Sequence, residues 1–248
     1  MEREKEMGKT ILVTGATGGI GSAIVEELIV KGYQIVAVAR TERKLQDLVE
    51  RYGDCVRYVV CDLSDMSNVA VIFQQLSEWN IVLSGAVYCA GNCTSEPIKL
   101  IDVDAMQRDM NINTLSFVEM GKFFSKKKYV CEGAGIVALS SMSAWDMTKG
   151  MCVYSMSKAA LNVAVQTMAK ELMKRKIRVN AILPAYVNTA MTIGLDHDQN
   201  RIAMLQKKQP LGIIEPKYIA YMAEFLLSEK AKYMTGCLIP ISGGRTEK

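Results

Sequence analysis

The sequence predicts an α/β fold, a doubly wound parallel sheet of about seven strands with helices on both faces. Three observations predict it. Short apolar runs rich in Val and Ile alternate with longer stretches of helical period over nearly the whole length. The runs are continuous rather than alternating, as strands buried on both faces require. The chain has 248 residues, 50% of them apolar and 23% charged, so it can bury a sizeable core. At about 150 residues per domain that length fits one domain or two small ones. No linker, repeat or low-complexity tract interrupts it, so one domain over residues 1–248 is expected.

Taken in order, Thr10–Thr14 (TILVT) reads as the first strand and Ile20–Val30 as the helix behind it. Gln34–Ala39 (QIVAVA) and Glu42–Tyr52 repeat the unit, as do Val56–Cys61 and Asn68–Leu76. Ile81–Tyr88 is the fourth strand, and a long helical stretch, Ala105–Tyr129, follows it. Gly135–Ser140 precedes a second long helix, Val153–Arg175. Ile177–Leu183, Pro216–Leu227 and Cys237–Ile241 complete the pattern.

Composition removes several function classes. Thirty Lys and Arg face 26 acidic residues, a balance of +4, and the charges are scattered. Nucleic acid is therefore not the expected partner. No apolar run approaches the roughly 18 residues of a membrane span, and the charged start MEREKEMGKT reads as no signal peptide and a cytoplasmic protein. One histidine, His197, excludes a zinc site with several His ligands and reads as a surface loop residue. Seven cysteines with no CxxC pair indicate neither a disulfide framework nor a thiolate metal cage, so no metal is expected.

In such a sheet ligands sit outside the carboxyl ends of the strands. After the first strand comes Thr14-Gly15-Ala16-Thr17-Gly18-Gly19-Ile20-Gly21, opening into a helix. Glycines there permit a tight turn and close approach to a pyrophosphate, and the helix N-terminus supplies donors and a positive dipole. After the second strand stands Arg40, with no carboxylate at the tip, so Arg40 and Arg43 offer charge to a ribose 2′-phosphate or simply sit in solvent. Asp62 after the third strand either bonds an adenine edge or caps the turn near Ser64. Later, Ser141 follows the fifth strand, and Tyr154 and Lys158 share one helix face at i and i+4. An ammonium beside a phenol favours the phenolate and makes Tyr154 a usable acid or base in a chain nearly without His.

From Thr10 to Gly244 the chain resembles the simple, single-domain branch of the short-chain dehydrogenase/reductase family. The matching pieces are TGATGGIG at 14–21, DL at 62–63, AG at 90–91, Asn113, Ser141, YSMSK at 154–158, P-x-x-x-x-T at 184–189 and TG…SGG near the end. The resemblance implies a Rossmann fold and a catalytic tetrad of Asn113, Ser141, Tyr154 and Lys158. Asn113 is chosen over Asn111 because Ser116 supplies the small residue expected three positions on. It also implies cofactor contacts at Gly15, Thr17, Gly19, Ile20, Gly21, Arg40, Asp62, Leu63, Ala90, Gly91, Pro184, Val187 and Thr189, together with Tyr154 and Lys158. The cofactor expected from Arg40 is NADP(H), with NAD(H) the alternative. Three departures stand out: Tyr88-Cys89 replaces an Asn pair, Ala185 replaces a Gly, and Thr17 stands where many NADP-preferring relatives carry a basic residue. The lost Asn usually ties neighbouring strands together.

The activity implied is interconversion of a carbonyl and a secondary alcohol, with Tyr154 as acid or base. The substrate is a small carbonyl or alcohol (a sugar, a steroid or another), or a 3-oxoacyl group on acyl carrier protein, as in 3-oxoacyl-(acyl-carrier-protein) reductases. Lys126–Lys128 and Lys174–Lys176 are a candidate dock for that acidic partner, or only complements to helix dipoles. The resemblance also implies a homotetramer or homodimer that pairs the two long helices, the second of which carries Leu161, Val165, Met168 and Leu172 as one apolar stripe. Two other readings compete. A non-catalytic dinucleotide-binding regulator would not need the Tyr-Lys pair, and an epimerase would need more than the roughly 60 residues that follow Leu183.

Overall fold

The structure, a computed structural model, describes residues 8–193 and 199–245. His197 therefore lies outside the described residues. Seven parallel strands form one sheet in the order β3-β2-β1-β4-β5-β6-β7. They are β1 (Thr10–Thr14), β2 (Gln34–Ala39), β3 (Val56–Val60), β4 (Leu83–Tyr88), β5 (Val130–Leu139), β6 (Arg178–Pro184) and β7 (Leu238–Ile241). The helices are α1 (Gly19–Val30), α2 (Glu42–Tyr52), α3 (Val69–Glu78), α4 (Val103–Met110), α5 (Ser116–Phe124), α6 (Ser143–Asp146), α7 (Cys152–Glu171), α8 (Ala190–Ile193), α9 (Gln199–Lys208) and α10 (Pro216–Leu227).

The continuous apolar runs are buried on both faces, as their composition requires. Leu12, Val36, Ala86 and Ile136 pack on one side with Phe73, Phe117 and Leu161, while Ile11, Ile35, Val87 and Val137 pack on the other with Ile24, Leu28 and Ile219. Strand order reverses between β1 and β4, and a cleft opens there at the carboxyl ends.

The expected helix Ala105–Tyr129 is the main correction. It is divided into α4 and α5 by a wider π turn at Asn111–Leu115, and it ends at Phe124. Its apolar spacing continues through the break, so periodicity alone could not reveal it. The tail is not helical because Tyr129 already feeds the sheet, its carbonyl accepting from Leu83 N at 2.8 Å. Consequently β5 starts at Val130, five residues before the expected Gly135. The second long helix ends at Glu171 and tightens into a 3-10 turn, Leu172–Arg175. Its stripe Leu161, Val165, Met168 and Leu172 is buried in the chain's own core, leaving Met156 and Val163 exposed on the opposite side. No helix among the described residues is long and apolar enough to cross a membrane.

Candidate active site

The cleft holds a cavity of about 370 Å³ whose floor is the glycine-rich turn. A side chain at Gly15 would put its Cβ 2.8 Å from Ala90 N and Cys89 O, and one at Gly21 would meet Gly15 O at 2.1 Å. Gly15 also holds φ +63°, a conformation that costs most side chains strain. These glycines let the β1 turn and the post-β4 segment touch backbone to backbone. Behind the turn, Gly18 caps α1 with no side-chain bond and no acidic residue stands in the first turn. The helix therefore offers its amides and positive dipole to the cavity, which suits a pyrophosphate. Gly19 faces Thr189, whose Cγ2 lies 2.6 Å from where a Cβ would stand, so the 184–189 segment closes the turn from above.

Of the expected cofactor contacts, Gly15, Thr17, Gly19, Ile20, Gly21, Arg40, Leu63, Ala90, Gly91, Tyr154, Lys158 and Thr189 line this cavity. The other three do not. Asp62 turns its Oδ1 to Ser64 N at 2.9 Å, the local capping arrangement. Pro184 gives its carbonyl to Met142 N at 2.9 Å, and buried Val187 bridges Ile214. Arg43 is also spent elsewhere, on Asp47 at 3.2 Å and Glu50 at 3.6 Å. The cation that joins Arg40 at its end of the cavity is Lys44, which the sequence reading missed.

Opposite the glycine floor, Tyr154 and Lys158 project from α7 into the same cavity. Lys158 is buried and donates to Leu139 O at 2.7 Å, with Nζ 5.9 Å from the Tyr154 ring centroid. A glycine-rich turn and a Tyr-Lys pair thus share one cleft, with the Ser141 hydroxyl bonded to the phenol from behind its wall.

Known proteins match this chain over nearly its whole length. A family model described as Enoyl-(Acyl carrier protein) reductase matches residues 15–246. The chain belongs to the short-chain dehydrogenase/reductase family. A 3-oxoacyl-(acyl-carrier-protein) reductase of Rickettsia conorii is 31% identical over 240 residues, covering 96% of each chain. Among solved structures, a short-chain type dehydrogenase/reductase from Mycobacterium ulcerans superposes with a TM-score of 0.87 at 27% identity, covering 96% of this chain and 90% of that one. A 4-hydroxyisoleucine dehydrogenase complexed with NADH matches at 26% identity and a TM-score of 0.87, over 96% and 98% of the two chains. Like its family, the chain is an NAD(P)-dependent oxidoreductase built on a Rossmann fold.

The short-chain dehydrogenase/reductase site has its own electrostatics here. The phenol of Tyr154 moves the opposite way from the lowering by Lys158 that was expected. Burial pushes Tyr154 up, the thiols Cys93 and Cys89 and the Asp109 carboxylate add to this, and only the bond from Ser141 opposes them. Lys158 itself is brought down to about 8 by burial, with the two thiols opposing the shift. The ammonium donates to the Leu139 carbonyl rather than to the phenol.

Asn113 and Ser141 stand outside the cavity wall. Asn113 is fully buried in the π turn with every amide group engaged. Its Oδ1 accepts from Asn92 N at 2.8 Å, and its Nδ2 donates to Asn92 O and Ser157 Oγ, each at 2.9 Å. Ser157 Oγ in turn donates to Tyr154 O at 2.8 Å, so the π turn is tied to the turn of α7 that carries the tyrosine. Tyr88, one of the departures, donates to Ile112 O at 2.6 Å and helps hold that wider turn. Thr14 takes over the missing strand tie, its Oγ1 accepting from Cys89 N and Ala90 N at 3.1 Å each. Sequence reasoning missed Thr14, Asn92, Asp109 and Ser157, because each acts on a residue remote in sequence.

The two basic tracts are not a dock beside this cleft. Lys126–Lys128 precede the amino end of β5 and Lys174–Lys176 the amino end of β6, whereas the cavity is at the carboxyl ends. The six residues of β4 that run alongside β5, at about 3.3 Å each, put roughly 20 Å between the tracts and the cavity. Arg175 gives its guanidinium to Phe124 O and Val130 O, capping α5, and Lys176 pairs with Glu132 at 2.9 Å.

Proposed function

We propose that this short-chain dehydrogenase/reductase is an NADP(H)-dependent enzyme interconverting a carbonyl and a secondary alcohol, with Tyr154 as general acid and base. The observation that carries the reading is that Tyr154 and Lys158 face, across one cavity, a glycine turn that no side chain could enter. When bound, the nicotinamide supplies or accepts the hydride. The glycine turn and the amides of α1 hold the pyrophosphate, while Arg40 and Lys44 at the cavity edge meet a 2′-phosphate. Tyr154 passes its proton to the substrate oxygen in reduction and takes it back in oxidation. Burial keeps the phenol protonated, the form that the acid role needs. Ser141 bonds the phenol and positions the substrate oxygen, and Lys158 holds the nicotinamide ribose. Asn113 fixes the π turn and, through Ser157, the backbone at Tyr154.

Likeness to a 3-oxoacyl-(acyl-carrier-protein) reductase supports a 3-oxoacyl thioester as substrate, although the basic tracts lend that reading no weight. A homotetramer is the assembly we infer, from exposed Met156 and Val163 on α7 and Val118 on α5. Sedimentation as a stable monomer at micromolar concentration would rule it out. Screening NADPH oxidation against 3-oxoacyl thioesters, sugars, steroids and quinones tests the reaction. Turnover on a member of that panel, lost in Ser141→Ala, is the expected outcome, and no turnover on any member contradicts it.

A further inference from the structure

Beneath the cavity lies a carboxylate that the reaction as described leaves unused. Asp109, on the last turn of α4, is 1% exposed. Its Oδ1 accepts from Asn92 Nδ2 at 2.6 Å and its Oδ2 from Thr94 N at 3.1 Å. The neighbouring cation, Arg108, is turned to Asp102 instead, and among the described residues no cation pairs with Asp109. A buried charge without a counter-ion is costly, so its two hydrogen bonds are strong and geometrically exacting.

Both donors belong to the segment that follows Gly91, which lines the cavity. That segment bonds at the same place to the π turn. Asn92 offers its backbone N–H and C=O to the Asn113 amide while its side chain is held by Asp109. Asn113 continues to Ser157, and Ser157 to the backbone of Tyr154. A Cβ on Gly91 would stand 3.0 Å from Asn113 Oδ1 and 3.4 Å from Lys158 Nζ, so the post-β4 segment lies close against both Asn113 and Lys158.

We propose that Asp109 is a positioning residue of this enzyme, holding Asn92 so that Asn113 and the Tyr154–Lys158 turn of α7 keep their reactive geometry. It touches neither substrate nor cofactor and acts through Asn92. The assignment rests on the carbonyl/alcohol reading above, so its test includes one arm that needs no turnover.

Two variants carry the test. In Asp109→Asn one acceptor oxygen becomes a donor, so either Asn92 Nδ2 or Thr94 N loses its partner. In the exchanged pair Asn92→Asp/Asp109→Asn, the new carboxylate accepts from the new amide, whose oxygen remains for Thr94 N. Every bond is kept and the charge moves across the pair. Expected for Asp109→Asn is a fall in kcat of about tenfold or more, because misplacement of reacting groups is costly, with NADPH affinity within about twofold of the parent. Recovery of most of the lost kcat in the exchanged pair is expected, and it also serves if the single variant does not fold. Amide hydrogen exchange without substrate is the second arm. The Asn92 amide, which bonds Asn113 and not Asp109, is expected to exchange faster in Asp109→Asn and to return to the parent rate in the exchanged pair. An unchanged Asn92 amide, an unchanged kcat, or no recovery in the exchanged pair overturns the proposal. If the parent turns over no carbonyl, the reaction as proposed falls, while the exchange arm still reads whether Asp109 holds Asn92.

Discussion

The two edges of the sheet carry similar cations and use them in opposite ways. At the carboxyl edge, Arg40 and Lys44 line an open cavity. At the amino edge, Arg175 caps α5, Lys176 pairs with Glu132, and Lys126 and Lys128 lie over the rings of Phe123 and Tyr129. Strand direction makes the difference. Backbone turns at the carboxyl edge leave helix N-termini facing the cleft, so anions are wanted there. At the amino edge helices end and carbonyls face outward, so cations are consumed as caps. A basic tract therefore says little about a partner until its edge of the sheet is known.

The sharpest way to break this contrast is to remove the proton donor at the carboxyl edge. Tyr154→Phe is expected to lower turnover by about a hundredfold or more, the scale of general acid catalysis, while NADPH titration stays nearly unchanged. A variant that keeps more than about a tenth of the activity would remove Tyr154 from its role. Next in size is the cofactor preference. Arg40→Asp replaces attraction to a 2′-phosphate with repulsion and should invert the order of kcat/KM for NADPH and NADH. A charge-assisted bond is worth about ten- to a hundredfold, and the exposed position of Arg40 favours the smaller figure. Equal kcat/KM for the two cofactors in the parent would make Arg40 a surface charge only.

Lys158 gives a pH signature of the same edge. Its value is near 8 in the fold against 10.5 for an ordinary lysine. Between those values the unfolded chain binds a proton that the folded chain has released, so stability rises with pH. Chemical denaturation of the parent and of Lys158→Met at several pH values should show the parent gaining on the variant through that window, by at most about 1.4 kcal/mol per pH unit. A constant difference would mean that the ammonium stays charged in the fold. The smallest effect belongs to the amino edge. Reversing Lys126, Lys128 and Lys174 to Glu should leave kcat/KM on a 3-oxoacyl thioester carried by acyl carrier protein within about twofold, because the cavity opens at the opposite edge, roughly 20 Å away. A large loss confined to the protein-borne substrate would restore those lysines as a dock.

The fold was legible because each strand and helix announces itself locally. The seven runs, the order of units and the glycine turn are contiguous signals, and the structure follows them closely. The errors fall where the deciding contact is remote. The π turn at Asn111–Leu115 keeps the apolar spacing of a helix, so only its partners Tyr88, Asn92 and Ser157 betray it. Arg43 and Lys44 differ by one residue, or about 100° around α2. Sequence alone does not say which faces the cleft, although Asp47 and Glu50 at i+4 and i+7 already marked Arg43 as spent. Asp109 carries no local signal, because its partners, Asn92 and Thr94, come from another element.

The claim on which the rest depends is that the cofactor occupies the carboxyl-edge cavity and leaves the amino edge untouched. Amide hydrogen exchange with and without saturating NADPH reads both edges in one measurement. The expected result is protection at residues 15–21, 39–44 and 89–92 and at the 154–158 turn of α7, with no change at 126–132 or 174–178. Protection at the amino edge, or an unprotected glycine turn, would contradict it.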